Sequence, residues 1–337
     1  MLRSVEFKNV KALRDTNLPL APFTLILGPN GSGKSTALQA IQSAATHSNL
    51  PFASMLSVGV TPTPGVTIEV IFHWEDPLPG AKTRVFWTPT NQVQRQHIDP
   101  NGAVLQRDEQ AALDAQLGRF RAYALEWTAI AQPVQLQPNI ELGSNGSNFA
   151  GMLERLRDDV PERFEAFNKE VERWLPEYDR VLLNTPQAGQ KGIALRTRTG
   201  KHAIPAAQLS QGTLLSLAML ALVYLPDPPS LVALEEPDHG LHPRLLRELR
   251  DALYRLSYPD SFGEPRSSVQ VVVTTHSPCL LDLYRDHPEE IVLAQKVGLD
   301  VHFERLSDKP DFEEVMGDAP LGEVWYTGIL GGVPLIQ

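Results

Sequence analysis

Phe23-Thr24-Leu25-Ile26-Leu27-Gly28-Pro29-Asn30-Gly31-Ser32-Gly33-Lys34-Ser35-Thr36 joins an apolar run to a glycine-spaced loop, and Ala37-Leu38-Gln39-Ala40-Ile41-Gln42 continues it with helical character. The run reads as a buried strand, so the order is strand, loop, helix. Gly28, Gly33, Lys34 and Ser35 meet the pattern G-x-x-x-x-G-K-[ST], which requires that context. Glycines at these positions let successive backbone N–H groups turn inward without a Cβ in the way. The N-terminus of the following helix adds partial positive charge. The loop Gly28, Pro29, Asn30, Gly31, Ser32, Gly33, Lys34, Ser35 and Thr36 is therefore expected to cradle the phosphates of ATP. Lys34 is expected to reach the β- and γ-phosphates, and the Ser35 hydroxyl to ligate Mg²⁺.

Three further segments follow in order. Leu209-Ser210-Gln211-Gly212 precedes a helix-like stretch. Ser230-Leu231-Val232-Ala233-Leu234 is an apolar run that stops at the adjacent carboxylates Glu235 and Glu236. Such a run suits a central parallel strand, and ligands of open α/β sheets bind at the carboxyl ends of these strands. Strand alternation would put Glu235 and Glu236 on opposite sides, so they receive different jobs. Glu235 is expected in the Mg²⁺ shell, through water, and Glu236 is expected to polarise the attacking water. Val269–Thr275 is another apolar run with a polar tip, and His276 beyond it could hydrogen-bond a γ-phosphate oxygen. Glu236, His276 and Lys34 form the expected catalytic set. His239 and His242 flank a turn beside the acidic pair, but no third ligand accompanies them.

On these four segments the chain resembles the ATP-binding-cassette ATPases of the SMC/RecF type. More closely, it resembles the ATPase domain of the OLD-like group found in bacterial genome-maintenance and anti-phage systems. Val5-Glu6-Phe7-Lys8-Asn9-Val10-Lys11 leads into the phosphate loop as in such ATPases, and Leu209–Thr213 matches the signature loop. Glu235–Pro243 matches the acidic strand with its D-loop, Thr274–Pro278 the switch histidine, and Leu321–Gly328 the subgroup's C-terminal segment. The resemblance implies an α/β P-loop NTPase of ABC/SMC-head type, with a mixed central sheet, an antiparallel β edge and a helical lobe. It implies a head-to-tail dimer that sandwiches two ATP molecules, Ser210, Gln211 and Gly212 of one subunit capping the nucleotide held by the other. Glu235 stands where transporters of the superfamily carry aspartate, which disfavours a transporter subunit. The family's Mg²⁺-contacting glutamine is left open among Gln132, Gln135 and Gln137. The expected role is a subunit that regulates a separate effector, a nuclease acting on DNA in defence or repair. The competing reading is a nucleotide-gated scaffold with little turnover.

Composition is consistent with this. The 337 residues are 42 % hydrophobic and 21 % charged, enough for a sizeable core. The single cysteine, Cys279, excludes an internal disulfide and a cysteine-based metal cluster. No apolar run reaches membrane-spanning length, and no signal segment opens the sequence; cytoplasm is the expected compartment, with no membrane partner. A net charge of −10 does not advertise nucleic-acid binding. The best candidate for a DNA contact is Lys191…Arg196-Thr197-Arg198-Thr199-Gly200-Lys201-His202.

Three parts of one ATPase domain are expected. Residues 1–142 should hold the phosphate loop and an antiparallel β lobe, with strands at Val66–Trp74 and Thr83–Trp87 and a hairpin of Gln94–Ile98 with Ala103–Gln106. Residues 143–229 should form a helical lobe opening at the loop Gly143–Asn148, with Phe164, Phe167, Val171 and Trp174 as a core stripe and the signature helix at Leu214–Leu225. Residues 230–337 should carry the acidic strand and the switch histidine. No heptad pattern of coiled-coil length intervenes, and a C-terminal nuclease domain is not expected.

Overall fold

The computed structural model describes residues 1–48, 51–310, 319–328 and 330. Its strands are β1 (Leu2–Val10), β2 (Leu13–Pro19), β3 (Phe23–Leu27), β4 (Ile68–Trp74), β5 (Lys82–Trp87), β6 (Val93–Ile98), β7 (Phe120–Tyr123), β8 (Val134–Gln135), β9 (Tyr178–Asn184), β10 (Gln190–Thr197), β11 (Ala203–Pro205), β12 (Leu231–Glu235), β13 (Gln270–Thr275), β14 (Ile291–Val297) and β15 (Asp300–Arg305). The α-helices are α1 (Lys34–Ala45), α2 (Phe52–Met55), α3 (Arg107–Gly118), α4 (Trp127–Ile130), α5 (Phe149–Asp159), α6 (Pro161–Trp174), α7 (Gln211–Leu222), α8 (Leu245–Ser257), α9 (Pro278–Leu281) and α10 (Leu321–Tyr326).

Two units make up the chain. The first comprises Met1–Ala122, Pro229–Leu234 and the described part of Ser268–Gln337; the second comprises Tyr123–Pro228 and Glu235–Ser267. In the first, a mixed six-stranded sheet runs in the order β15-β14-β3-β13-β12-β7. β3 pairs in parallel with both β13 and β14, whereas β15 closes that edge antiparallel to β14. β3 and β13 are buried along their whole length, which is why they read as unbroken apolar runs rather than alternating ones. A separate antiparallel sheet has the order β2-β1-β4-β5-β6. One apolar cluster gathers Phe7, Phe72 and Trp87 from this sheet, Ile26 and Val272 from the mixed sheet, and Ala37, Ile41 and Ala44 from α1. That shared core fixes the start of α1 against the end of β3.

The antiparallel strands of the first unit thus form a sheet of their own, and the mixed sheet carries its own antiparallel edge strand in β15. The expected hairpin partner Ala103–Gln106 shrinks to an isolated bridge between Ile98 and Val104. Three local bonds explain this. The Asp99 carboxylate accepts the N–H groups of Asn101 and Ala103 at 2.9 and 2.8 Å, tightening the turn. Glu109 then accepts the Gln106 N–H at 2.9 Å, committing that residue to the start of α3.

The second unit packs α5, α6, α7 and α8 with a small sheet in which β10 pairs with β8, β9 and β11. Phe164, Phe167, Val171 and Trp174 are buried on one face of α6. Asn168, also buried, donates to the Phe164 carbonyl at 3.0 Å and accepts the Val181 N–H at 2.8 Å, tying α6 to β9. α7 is buried from Thr213 to Leu222, so it lacks the polar face of a surface helix. It begins at Gln211, three residues ahead of its expected start, because Ser210 caps it. The division between units falls at Ala122/Tyr123, not at Gly143–Asn148. That loop is pinned inside the second unit, its Ser144 and Asn145 carbonyls accepting the Ala124 and Glu126 N–H groups at 2.9 Å each. Glu235–Ser267 likewise belongs to the second unit rather than with the C-terminal strands. Among the described residues no helix is long and apolar enough to cross a membrane.

Candidate functional site

In the first unit, the sheet register places the phosphate loop beside the histidine strand. Thr275 pairs with Leu27, so Gly28 and His276 leave neighbouring parallel strands at the same carboxyl end of the sheet. The loop backbone then turns through left-handed conformations at Gly31 (φ +77°) and Gly33 (φ +86°), where any Cβ would be strained. Gly28 is required for a different reason: a Cβ there would lie 2.5 Å from the Ala294 carbonyl oxygen. Gly33 caps α1 with no side-chain acceptor, so no cap side chain competes for the first-turn N–H groups. Lys34 is buried, and its Nζ donates to the carbonyls of Gly28 at 2.8 Å and Pro29 at 3.2 Å. Among the described residues the Ser32 hydroxyl is buried without a hydrogen-bond partner, so it needs one from water or a bound group. Ser35 is exposed. Left-handed glycines, a helix start, a folded-in lysine and an orphan hydroxyl together fit a triphosphate, and the Ser35 oxygen fits the hard-cation chemistry of Mg²⁺.

Beyond β13 the chain is held by short-range bonds. The Thr275 hydroxyl oxygen accepts the Ser277 N–H at 2.9 Å, and Ser277 Oγ in turn caps α9 through the Leu280 N–H at 3.3 Å. His276 is half-buried between these bonds.

The second unit brings the carboxylates and the signature loop together. Glu235 ends β12, and Glu236 follows with a left-handed backbone (φ +44°), a conformation that costs energy for a residue with a Cβ. Strand alternation therefore does not reach Glu236. Both carboxylates line one cavity of about 500 Å³, with Glu126, Trp127, Thr128, Gln211 and His239 also on its wall. Glu235 and Glu236 therefore share one cavity and do not lie on opposite sides of a strand. Ser210 Oγ accepts the Thr213 N–H at 3.1 Å and lies 2.8 Å from the Thr213 hydroxyl. Gly212 approaches the D-loop turn so closely that a Cβ would sit 2.9 Å from the Gly240 carbonyl oxygen. His242 Nδ1 accepts the Arg244 N–H at 3.2 Å.

Glu126, Trp127 and Thr128 carry no motif, and only the fold brings α4 to the cavity of the acidic pair. The three candidate glutamines have different settings. Gln132 donates to the Thr128 carbonyl at 3.1 Å; Gln135 sits in β8 opposite Gln190; Gln137 is exposed. Of these, Gln132 is the one bonded to a cavity-lining residue.

The basic stretch is neutralised by acids distant in sequence. Lys191 pairs with Glu154 at 2.8 Å, Arg196 with Asp179 at 2.7 Å and Arg198 with Glu172 at 2.8 Å, while Lys201 also bonds Asp179. Each of these four cations thus has an acidic partner within the chain, Asp179 serving both Arg196 and Lys201. Hydrogen bonds from Arg196 and then Lys201 hold the Asp179 carboxyl down to about 2. A depressed carboxyl contributes stability above its unfolded value, near 3.9, and loses it as pH falls through about 2. NMR titration of the Asp179 carboxyl is expected to show a midpoint near 2, moving up toward the usual range in Arg196→Gln/Lys201→Gln; an unmoved midpoint would disprove the pairing.

Residues 89–282 match the model of a family described as "AAA domain, putative AbiEii toxin, Type IV TA system", and residues 4–65 match a second AAA-domain model. Over 41 residues the chain is 54 % identical to the OLD nuclease of Thermus scotoductus, a stretch that makes up 12 % of this chain and 8 % of that protein. Among solved structures, the SMC head bound to the C-winged helix domain of ScpA is similar with a TM-score of 0.63 at 15 % identity, covering 90 % of this chain and 97 % of that one. The Pyrococcus furiosus Smc head with an extended coiled coil, bound to the C-terminal domain of ScpA, gives 0.59 at 15 % identity, covering 90 % and 96 %. The SMC head domain from Thermotoga maritima gives 0.51 at 16 % identity, covering 90 % and 98 %. At these identities the likeness establishes an SMC-head-like α/β fold.

Proposed function

The chain belongs to the AAA-domain family matched over residues 89–282, on an SMC-head-like fold, and from that premise we propose that it is an ATP-binding and ATP-hydrolysing subunit whose turnover switches a separate effector. The observation that carries this reading is the phosphate loop: glycines in left-handed conformations, Lys34 folded in, and a buried, unsatisfied Ser32 hydroxyl. In this reading Gly28–Thr36 hold the triphosphate, Lys34 offsets its charge, and Ser35 and Glu235 hold Mg²⁺, which would neutralise charge on the phosphate oxygens. Glu236 accepts a proton from the attacking water, and His276 bonds a γ-phosphate oxygen.

The dimer is part of the same proposal. Ser210, Gln211 and Gly212 lie at the N-terminus of a long buried helix, a favourable position for phosphate oxygens supplied by a second copy. An effector protein is favoured by two of the solved SMC heads, which were captured with ScpA domains, and a nuclease effector acting on DNA by the short match to an OLD nuclease.

Light scattering on Glu236→Gln, with Mg²⁺ and ATP against no nucleotide, tests the assembly. A shift from monomer to dimer is expected. A monomer that demonstrably holds ATP would sink the composite site and leave a scaffold lacking its partner. A dimer in both conditions would mean that ATP changes the shape of a pre-formed pair.

A further inference from the structure

Leu321–Gly328 is a sequence motif that the ATP site does not absorb, and the structure places most of it in α10, against the loop that carries His276. Three observations join them. A Cβ on Gly322 would lie 2.6 Å from the Pro278 carbonyl oxygen and 2.8 Å from Pro278 Cβ, so only glycine permits this approach. The Gly322 N–H donates to Asp282 Oδ1 at 2.6 Å, tying the first turn of α10 to the residue that follows α9. Leu321, Val324 and Trp325 are buried beneath, so α10 is anchored rather than draped. Pro278 is two residues from His276, and the intervening Ser277 is held at both its N–H and its Oγ. A displacement of α10 therefore reaches His276 through a segment with little slack.

We infer that Gly322 and Asp282 are positioning residues for His276: α10 is a buttress whose contact with Pro278 sets where the histidine is presented. This inference rests on the proposed role of His276 at the γ-phosphate. Gly322→Ala must open the contact, because a backbone carbonyl cannot swing aside as a flexible side chain can. A misplacement on the scale of 1 Å costs up to about 100-fold in rate. In the proposed reading Gly28–Thr36 make most of the phosphate contacts and His276 adds one, so the Michaelis constant for ATP should change far less than turnover.

The experiment is a double-mutant cycle in the full chain, with kcat and KM for ATP measured for wild type, Gly322→Ala, His276→Ala and the double variant. Gly322→Ala is expected to lower kcat about 10- to 100-fold with KM nearly unchanged. Added to His276→Ala it should cost nothing further, since a residue acting through the histidine has no effect without it. Asp282→Ala should reproduce the loss in milder form, and Asp282→Asn, which keeps Oδ1, should restore turnover; this pair gives the answer if Gly322→Ala fails to fold. Additive losses, or a kcat untouched by Gly322→Ala, would overturn the inference while leaving the role of His276 intact. If His276→Ala itself turns over normally, or the wild type does not turn over, the proposed role of the histidine falls and takes this inference with it.

Discussion

Glu236→Gln is expected to lower ATP turnover by about 100- to 1,000-fold, in the range attributed to a positioned general base, while ATP stays bound. Glutamine preserves the side chain's shape and one acceptor oxygen but cannot take a proton from water. The strained backbone at Glu236 (φ +44°) sharpens the expectation. A left-handed conformation at a residue with a Cβ persists only where the surroundings enforce it, and such positions cluster at functional sites. In the proposed reading the triphosphate is held by Gly28–Thr36 rather than by Glu236, so the dissociation constant should move by less than about threefold, under 0.7 kcal/mol. Single-turnover phosphate release and calorimetric titration with ATP measure the two separately. Turnover unchanged in this variant would remove Glu236 from the chemistry and return the proton to another of the carboxylates around the cavity.

Lys34→Ala should have the opposite signature: affinity lost first. Hydrogen bonds to charged groups contribute about 1.5–3 kcal/mol each, so deleting the ammonium should weaken ATP binding by about 10- to 150-fold. The side chain is buried and donates to the Gly28 and Pro29 carbonyls, so its removal also loosens the loop itself. Thermal unfolding without nucleotide separates the two effects. A small change in midpoint with a large loss of affinity would assign Lys34 to the phosphates. Unaltered affinity would mean that the loop folds around its own lysine and binds elsewhere, which the orphaned Ser32 hydroxyl argues against.

The loop was legible in the sequence because its requirements are local. Gly31 and Gly33 need left-handed backbones, β3 must be apolar on both faces, and α1 must begin immediately after; neighbouring residues report all three. The same holds for the stripe Phe164, Phe167, Val171 and Trp174, whose helical spacing already marks a buried face. Less was legible where local competition decided. Ala103–Gln106 has the composition of a strand after a turn, yet Gln106 entered the cap of α3, and only one bridge survived. Glu236 follows an apolar strand and so reads as part of its alternation, but the strand ends one residue earlier.

Short stretches of sequence already carry the P-loop pattern and the mixed α/β class, because each is written in the needs of consecutive residues: glycines where the backbone turns left-handed, unbroken apolar runs where a strand is buried on both faces. Tertiary structure alone decided which acids neutralise Lys191, Arg196, Arg198 and Lys201, that Glu126 and Trp127 share a cavity with Glu235 and Glu236, and that Gly322 rides on Pro278. Those partners lie tens of residues or more apart along the chain. Their meeting is set by strand order and helix packing, which are sums over many weak contacts that no short stretch of sequence contains.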